Sequence, residues 1–96
     1  MTEKMEKSNR TFDFFTDPGH GWIKVPKALL KELGIAEKIT KYSYQRGEFA
    51  YLEEDCDATV FADALEKRTG CKLKFQEHTA DHPSRIRKYE TYSAGD

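Results

Sequence analysis

A chain of 96 residues with a formal net charge of −1, 38% hydrophobic and 12% aromatic, is sized for one domain around one core. Its ring content argues against a disordered chain, and no apolar run approaches the roughly 18 residues of a membrane span. So small a net charge generates no global field to draw the protein onto nucleic acid.

Residues 1–10 are charged and lack periodicity, which predicts a mobile tail ahead of a domain over 11–92. The polar start predicts no secretory signal, hence a cytoplasmic protein whose Cys56 and Cys71 stay reduced. Thr11 to Thr16 is β-prone, with Phe12 and Phe14 on one side and Phe15 on the other. Asp17-Pro18-Gly19 suits a type II turn with Gly19 at positive φ, and Trp22 to Val25 completes a hairpin. Pro26 fits the first position of a short helix whose stripe is Ala28, Leu29, Leu30 and Leu33. Gly34 then ends that helix, with Ile35 as its hydrophobic partner.

A second hairpin follows. With Arg46-Gly47 as the loop, Tyr44 pairs with Phe49 and Tyr42 with Tyr51, so four rings share one face. Lys41, Ser43, Ala50 and Leu52 take the other. Asp55 or Asp57 caps a second helix that runs to about Arg68 and stops at Gly70, with Ala58, Phe61, Ala62 and Leu65 on one side. Cys71 to Glu77 alternates as a strand with Cys71, Leu73 and Phe75 inward. His78 to Ser84 reads as a loop, and Arg85 to Tyr92 as a last edge strand. The fold class expected is α+β: a mostly antiparallel sheet with two helices on one face, in the order ββαββαβ.

Two surfaces compete as functional sites. Six acidic residues and no basic one lie between Glu48 and Asp63. Within that stretch Glu48, Glu53, Glu54, Asp55 and Asp57 form a candidate contact surface for a basic partner, against the plainer reading of helix capping and a solvated face. The rings Tyr42, Tyr44, Phe49 and Tyr51, with Arg85 and Arg87 of the basic C-terminal stretch, form a candidate nucleic-acid surface. The plainer reading of those rings is core beneath the helices.

Catalysis and metal binding find less support. Asp55 and Asp57 flank Cys56 and oppose a thiolate there, so a nucleophile–base pair with His20 or His78 is disfavoured. Glu53 and Glu54 are neighbours in a strand and point to opposite faces. His78 and His82 fall in a loop, and the two cysteines lack the close spacing of structural zinc sites. No metal and no cofactor are expected.

The strings Asp17-Pro18-Gly19-His20-Gly21-Trp22, Tyr42-Ser43-Tyr44 and Tyr51-Leu52-Glu53-Glu54-Asp55-Cys56-Asp57 resemble those of small proteins encoded by bacteriophages and mobile elements. The likeness covers about residues 11 to 92. It implies an accessory protein working in the bacterial cytoplasm and carries no functional residue with it. The leading expectation is a non-enzymatic binding protein, monomeric or a small homo-oligomer, that inhibits a host or defence protein in the manner of an anti-CRISPR. A nucleic-acid-binding module is the alternative, and a small hydrolase or metal-dependent enzyme the third reading.

Overall fold

The aromatic segment Thr11–Thr16 forms β1, and Gly21–Pro26 forms β2, paired antiparallel with Phe14 opposite Ile23. The computed structural model describes residues 11–94; the tail expected over 1–10 lies outside the described residues. The turn between these strands is not type II, because Gly19 does not take positive φ. Asp17 makes the turn instead: its Oδ1 accepts from the backbone N–H of Gly19 and of His20, each at 3.0 Å.

Pro26 precedes helix α1 (Lys27–Glu32) as its N-cap rather than its first residue. At the other end the Gly34 N–H donates to Lys31 O and the Ile35 N–H to Leu30 O, with Gly34 at φ 75. That pair of bonds is a Schellman motif, and it folds Ile35 onto buried Leu30 as the sequence predicts. A 3-10 turn at Ala36–Lys38 leads to β3 (Tyr44–Arg46) and β4 (Phe49–Glu53).

Tyr44 faces Tyr51 and Arg46 faces Phe49, so the loop is Gly47-Glu48, one residue later than expected. Gly47 supplies the positive φ, at 60. The pairing moves by an even number of positions, which keeps Tyr44, Phe49 and Tyr51 on one face. Tyr42 falls outside the strand and is 69% exposed.

Helix α2 (Asp57–Thr69) starts after Cys56, which caps it without a side-chain bond, so neither Asp55 nor Asp57 is the cap. Gly70 ends it in the left-handed region. Strand β5 (Lys74–Thr79) takes in His78, which the sequence reading leaves in a loop. It lies parallel to β1, with Thr11 opposite Lys74. Arg85–Lys88 is a 3-10 turn rather than a strand, and only Glu90–Thr91 (β6) pairs, with β3.

The result is α+β, in the order ββαββαββ, with one six-stranded sheet ordered β5-β1-β2-β4-β3-β6. The sheet is therefore mixed rather than purely antiparallel. A parallel pair needs a crossover connection, and the stretch containing α2 supplies it.

Alternation along the strands builds two cores. Phe12, Ile23, Val25, Ala50 and Leu52 pack with Leu29 and Leu30 of α1 and with Ala58, Phe61 and Leu65 of α2. Phe12 and Phe61 meet edge to face, their centroids 5.2 Å apart. The opposite face carries a smaller cluster of Trp22, Tyr51 and Ile86, with Phe15, Tyr44 and Tyr89 against it. The hairpin rings are thus not core beneath the helices. They occupy the other face, and the C-terminal segment covers part of them.

Candidate functional site

That covering segment is pinned by one carboxylate. Asp17 Oδ2 accepts from the Ser84 N–H at 2.8 Å and from Arg87 Nε at 2.7 Å, while Oδ1 takes Arg87 Nη2 at 2.9 Å. Ser84 Oγ in turn accepts from the Ile86 N–H at 3.1 Å and starts the 3-10 turn. Ile86 is thereby set against Trp22 and Tyr51. The Arg87 guanidinium, helped by the backbone N–H groups of Ser84, Gly19 and His20, holds the Asp17 carboxyl far below the usual carboxylate range.

The sign of the pH effect follows from that direction. A depressed acid stabilises the fold fully above the ordinary carboxylate pKa of about 4, and the contribution disappears as pH falls through the folded value. Emission from Trp22, the only tryptophan of the chain, is expected to hold steady from neutral pH down to about pH 4. Asp17→Asn should shift that emission and lower Tm already at neutral pH. A variant matching the parent in both would show that the clamp does not hold the segment.

Two clefts open on this face. The first, about 380 Å³, is lined by His20, Trp22, Tyr42, Tyr44, Glu53, Cys56 and Arg87. Members of all three quoted strings meet here, although they are far apart along the chain. His20 Nδ1 lies 3.2 Å from Glu53 Oε2, and Glu53 Oε1 accepts from the Asp55 N–H at 2.9 Å and from Cys56 Sγ at 3.6 Å. Burial, then the charges of Asp57 and Glu53, push the Cys56 thiol up, which disfavours a nucleophilic thiolate. Trp22 Nε1 is buried with no hydrogen-bond partner among the described residues.

The second cleft, about 430 Å³, is lined by Phe15, Lys24, Tyr51, Ala80, His82, Ser84, Arg85, Ile86 and Tyr89. Tyr51 and Tyr89 stand 5.0 Å apart, with Arg46 over the Tyr89 ring and Lys24 over Phe49. Burial raises the Tyr51 phenol, in keeping with its place beneath Tyr89.

The acidic residues do not stand as one surface. Glu48 is exposed in the β3–β4 turn, and Glu54 and Asp55 are exposed between β4 and α2. Glu53 and Asp57 are buried, which corrects the expectation that they belong to an exposed contact surface. Glu53 turns to His20, and Asp57 accepts from Thr40 and Ser43. By contrast Tyr44, Phe49, Tyr51, Arg85 and Arg87 come together on the face away from the helices. Sequence reasoning missed Asp17, Trp22, Lys24 and Arg46 as members. The available signals were an Asp ahead of Pro-Gly and a Trp-x-Lys alternation that puts both side chains on one face.

Among the described residues no group of three or more His, Cys, Asp or Glu side chains could hold a metal ion, and no helix is long and apolar enough to cross a membrane. Comparison with protein-family models, curated proteins and solved structures finds no match.

Proposed function

We propose that the chain is a non-enzymatic module that binds single-stranded nucleic acid on the open face of its sheet. One observation carries this reading. The carboxylates of Asp13, Asp17 and Glu53 on this face are each engaged, with His78, Arg87 and His20. Lys24, Arg46 and Arg85 stand around the rings with no carboxylate partner among the described residues. The Asp17–Arg87 pair cancels, and the three free cations outnumber the two histidine-bonded carboxylates even when both of those are counted as charged. The surface is therefore locally cationic although the chain is near neutral. Partly exposed Tyr44, Phe49 and Tyr89 add faces on which splayed bases stack, which favours a single strand over a duplex.

Anisotropy of a labelled oligonucleotide tests this. Affinity is expected to fall steeply with salt, with a slope of roughly 0.7 per neutralised phosphate. Lys24→Glu with Arg46→Glu and Arg85→Glu should weaken binding at least about tenfold and remove about two units of that slope. A folded triple variant that binds as the parent does, or a parent that binds no oligonucleotide, overturns the proposal.

A second reading rests on Tyr42, 69% exposed at the rim of the first cleft, and on exposed Glu54 and Asp55. An aromatic anchor beside free carboxylates suits docking on a basic protein surface, such as a host defence complex inhibited by a phage accessory protein. Glu54→Lys with Asp55→Lys separates the two readings. It should abolish capture of a protein partner, and it should tighten oligonucleotide binding.

A further inference from the structure

We propose that the first cleft selects guanine from the bound strand; this rests on the single-strand reading above. At about 380 Å³ the cleft lies at the small end of ligand sites, suited to one base rather than a run of them. Exposed Tyr42 and partly exposed Tyr44 supply ring faces above the buried Trp22, and the polar groups among its lining are of opposite kinds. Glu53 is an acceptor and Arg87 a donor. A base that satisfies both must carry donors on one stretch of its edge and acceptors on another.

Guanine does so. Its N1–H and N2–H₂ sit side by side for one carboxylate, while O6 and N7 offer adjacent acceptors to a guanidinium. Adenine has a single amino donor flanked by ring acceptors, and uracil or thymine a single N–H between two carbonyls. Cytosine offers an amino group but only one ring, which leaves the aromatic walls half used.

The two protein groups are prepared for such a ligand. Asp17 holds Arg87 through Nε and Nη2, which fixes the guanidinium plane and leaves Nη1 for the base. Glu53 is anchored by the Asp55 N–H at 2.9 Å. Its other contacts are the Cys56 thiol, a weak donor, at 3.6 Å and the half-exposed His20 ring at 3.2 Å, the two that the guanine N–H pair would replace.

The test compares uridine strands that carry guanine, adenine, cytosine or no substitution at one central position. The guanine strand is expected to bind at least about tenfold tighter, the discrimination of one good bidentate pair. Inosine, which lacks N2–H₂, should lose most of that gain with no change to the protein. Glu53→Gln should bring the ratio of guanine-strand to homouridine affinity down to about one, a ratio that the general gain in affinity from losing a negative charge does not move. Equal affinity for all strands, or preference for another base, overturns the guanine assignment and leaves the open-face reading standing. If no strand binds, both fall.

Discussion

Replacing Asp57 with alanine is expected to cost the fold about 3–5 kcal/mol. Asp57 is 1% exposed, yet it carries a carboxylate. Its Oδ2 accepts from the Thr40 N–H at 3.0 Å, from Thr40 Oγ1 at 2.8 Å and from Ser43 Oγ at 2.5 Å. Ser43 Oγ itself accepts from the Glu53 N–H at 3.0 Å. One oxygen therefore ties the loop before β3, the end of β4 and the first turn of α2, where the helix dipole also favours a negative charge. Alanine strands the fully buried Ser43 hydroxyl and the part-buried Thr40 donors, and a buried donor costs about 1–3 kcal/mol when unpaired. Asn, which can keep one acceptor in place, should cost about half as much. Urea unfolding followed by far-UV circular dichroism measures both. A loss below about 1 kcal/mol for alanine would remove Asp57 from this role.

The second large effect falls on the opposite face. Ile86→Ala should cost about 2–4 kcal/mol, because Ile86 is 2% exposed and fills the space between Trp22 and Tyr51. Its loss leaves a void that the rigid sheet beneath cannot close. Trp22 emission reports the event directly: it should move to the red as water reaches the indole, while the Phe12–Phe61 core stays formed. An unshifted emission with unchanged stability would mean that the segment is held by Asp17 and Arg87 without help from Ile86.

Local chemistry made much of this fold readable in the sequence, and long-range partnership made the rest unreadable. Gly34 and Ile35 announce the end of α1 because a Schellman motif is written in adjacent residues. The shared face of Tyr44, Phe49 and Tyr51 follows from alternation alone, and it survives a loop misplaced by one residue. Which face the helices cover does not follow, since both carry large hydrophobic side chains, Phe12, Ile23 and Leu52 on one and Phe15, Trp22 and Tyr51 on the other. The helices took the face with the smaller aliphatic side chains. The rings were left for the 3-10 segment, whose docking depends on an Asp17–Arg87 pair that no local pattern links. The acidic run was misleading for a related reason. Glu53 and Asp57 look like surface charge until His20, Thr40 and Ser43 are seen to bond them.

The parallel pairing of β5 with β1 also has a consequence for biosynthesis. Thr16 and Thr79 bond across the pair although they are sixty-three residues apart, and β1 is the first strand of the described chain. As the chain leaves the ribosome, β1 can pair with β2 almost at once through the Asp17 turn. Its other edge waits until Thr79 has emerged. During that interval the growing chain presents an unpaired, phenylalanine-rich strand edge, an invitation to wrong partners and to chaperones. Closing a parallel pair across so long a loop is slow as well. Completion of the sheet therefore waits on the synthesis of β5, however early the two hairpins form.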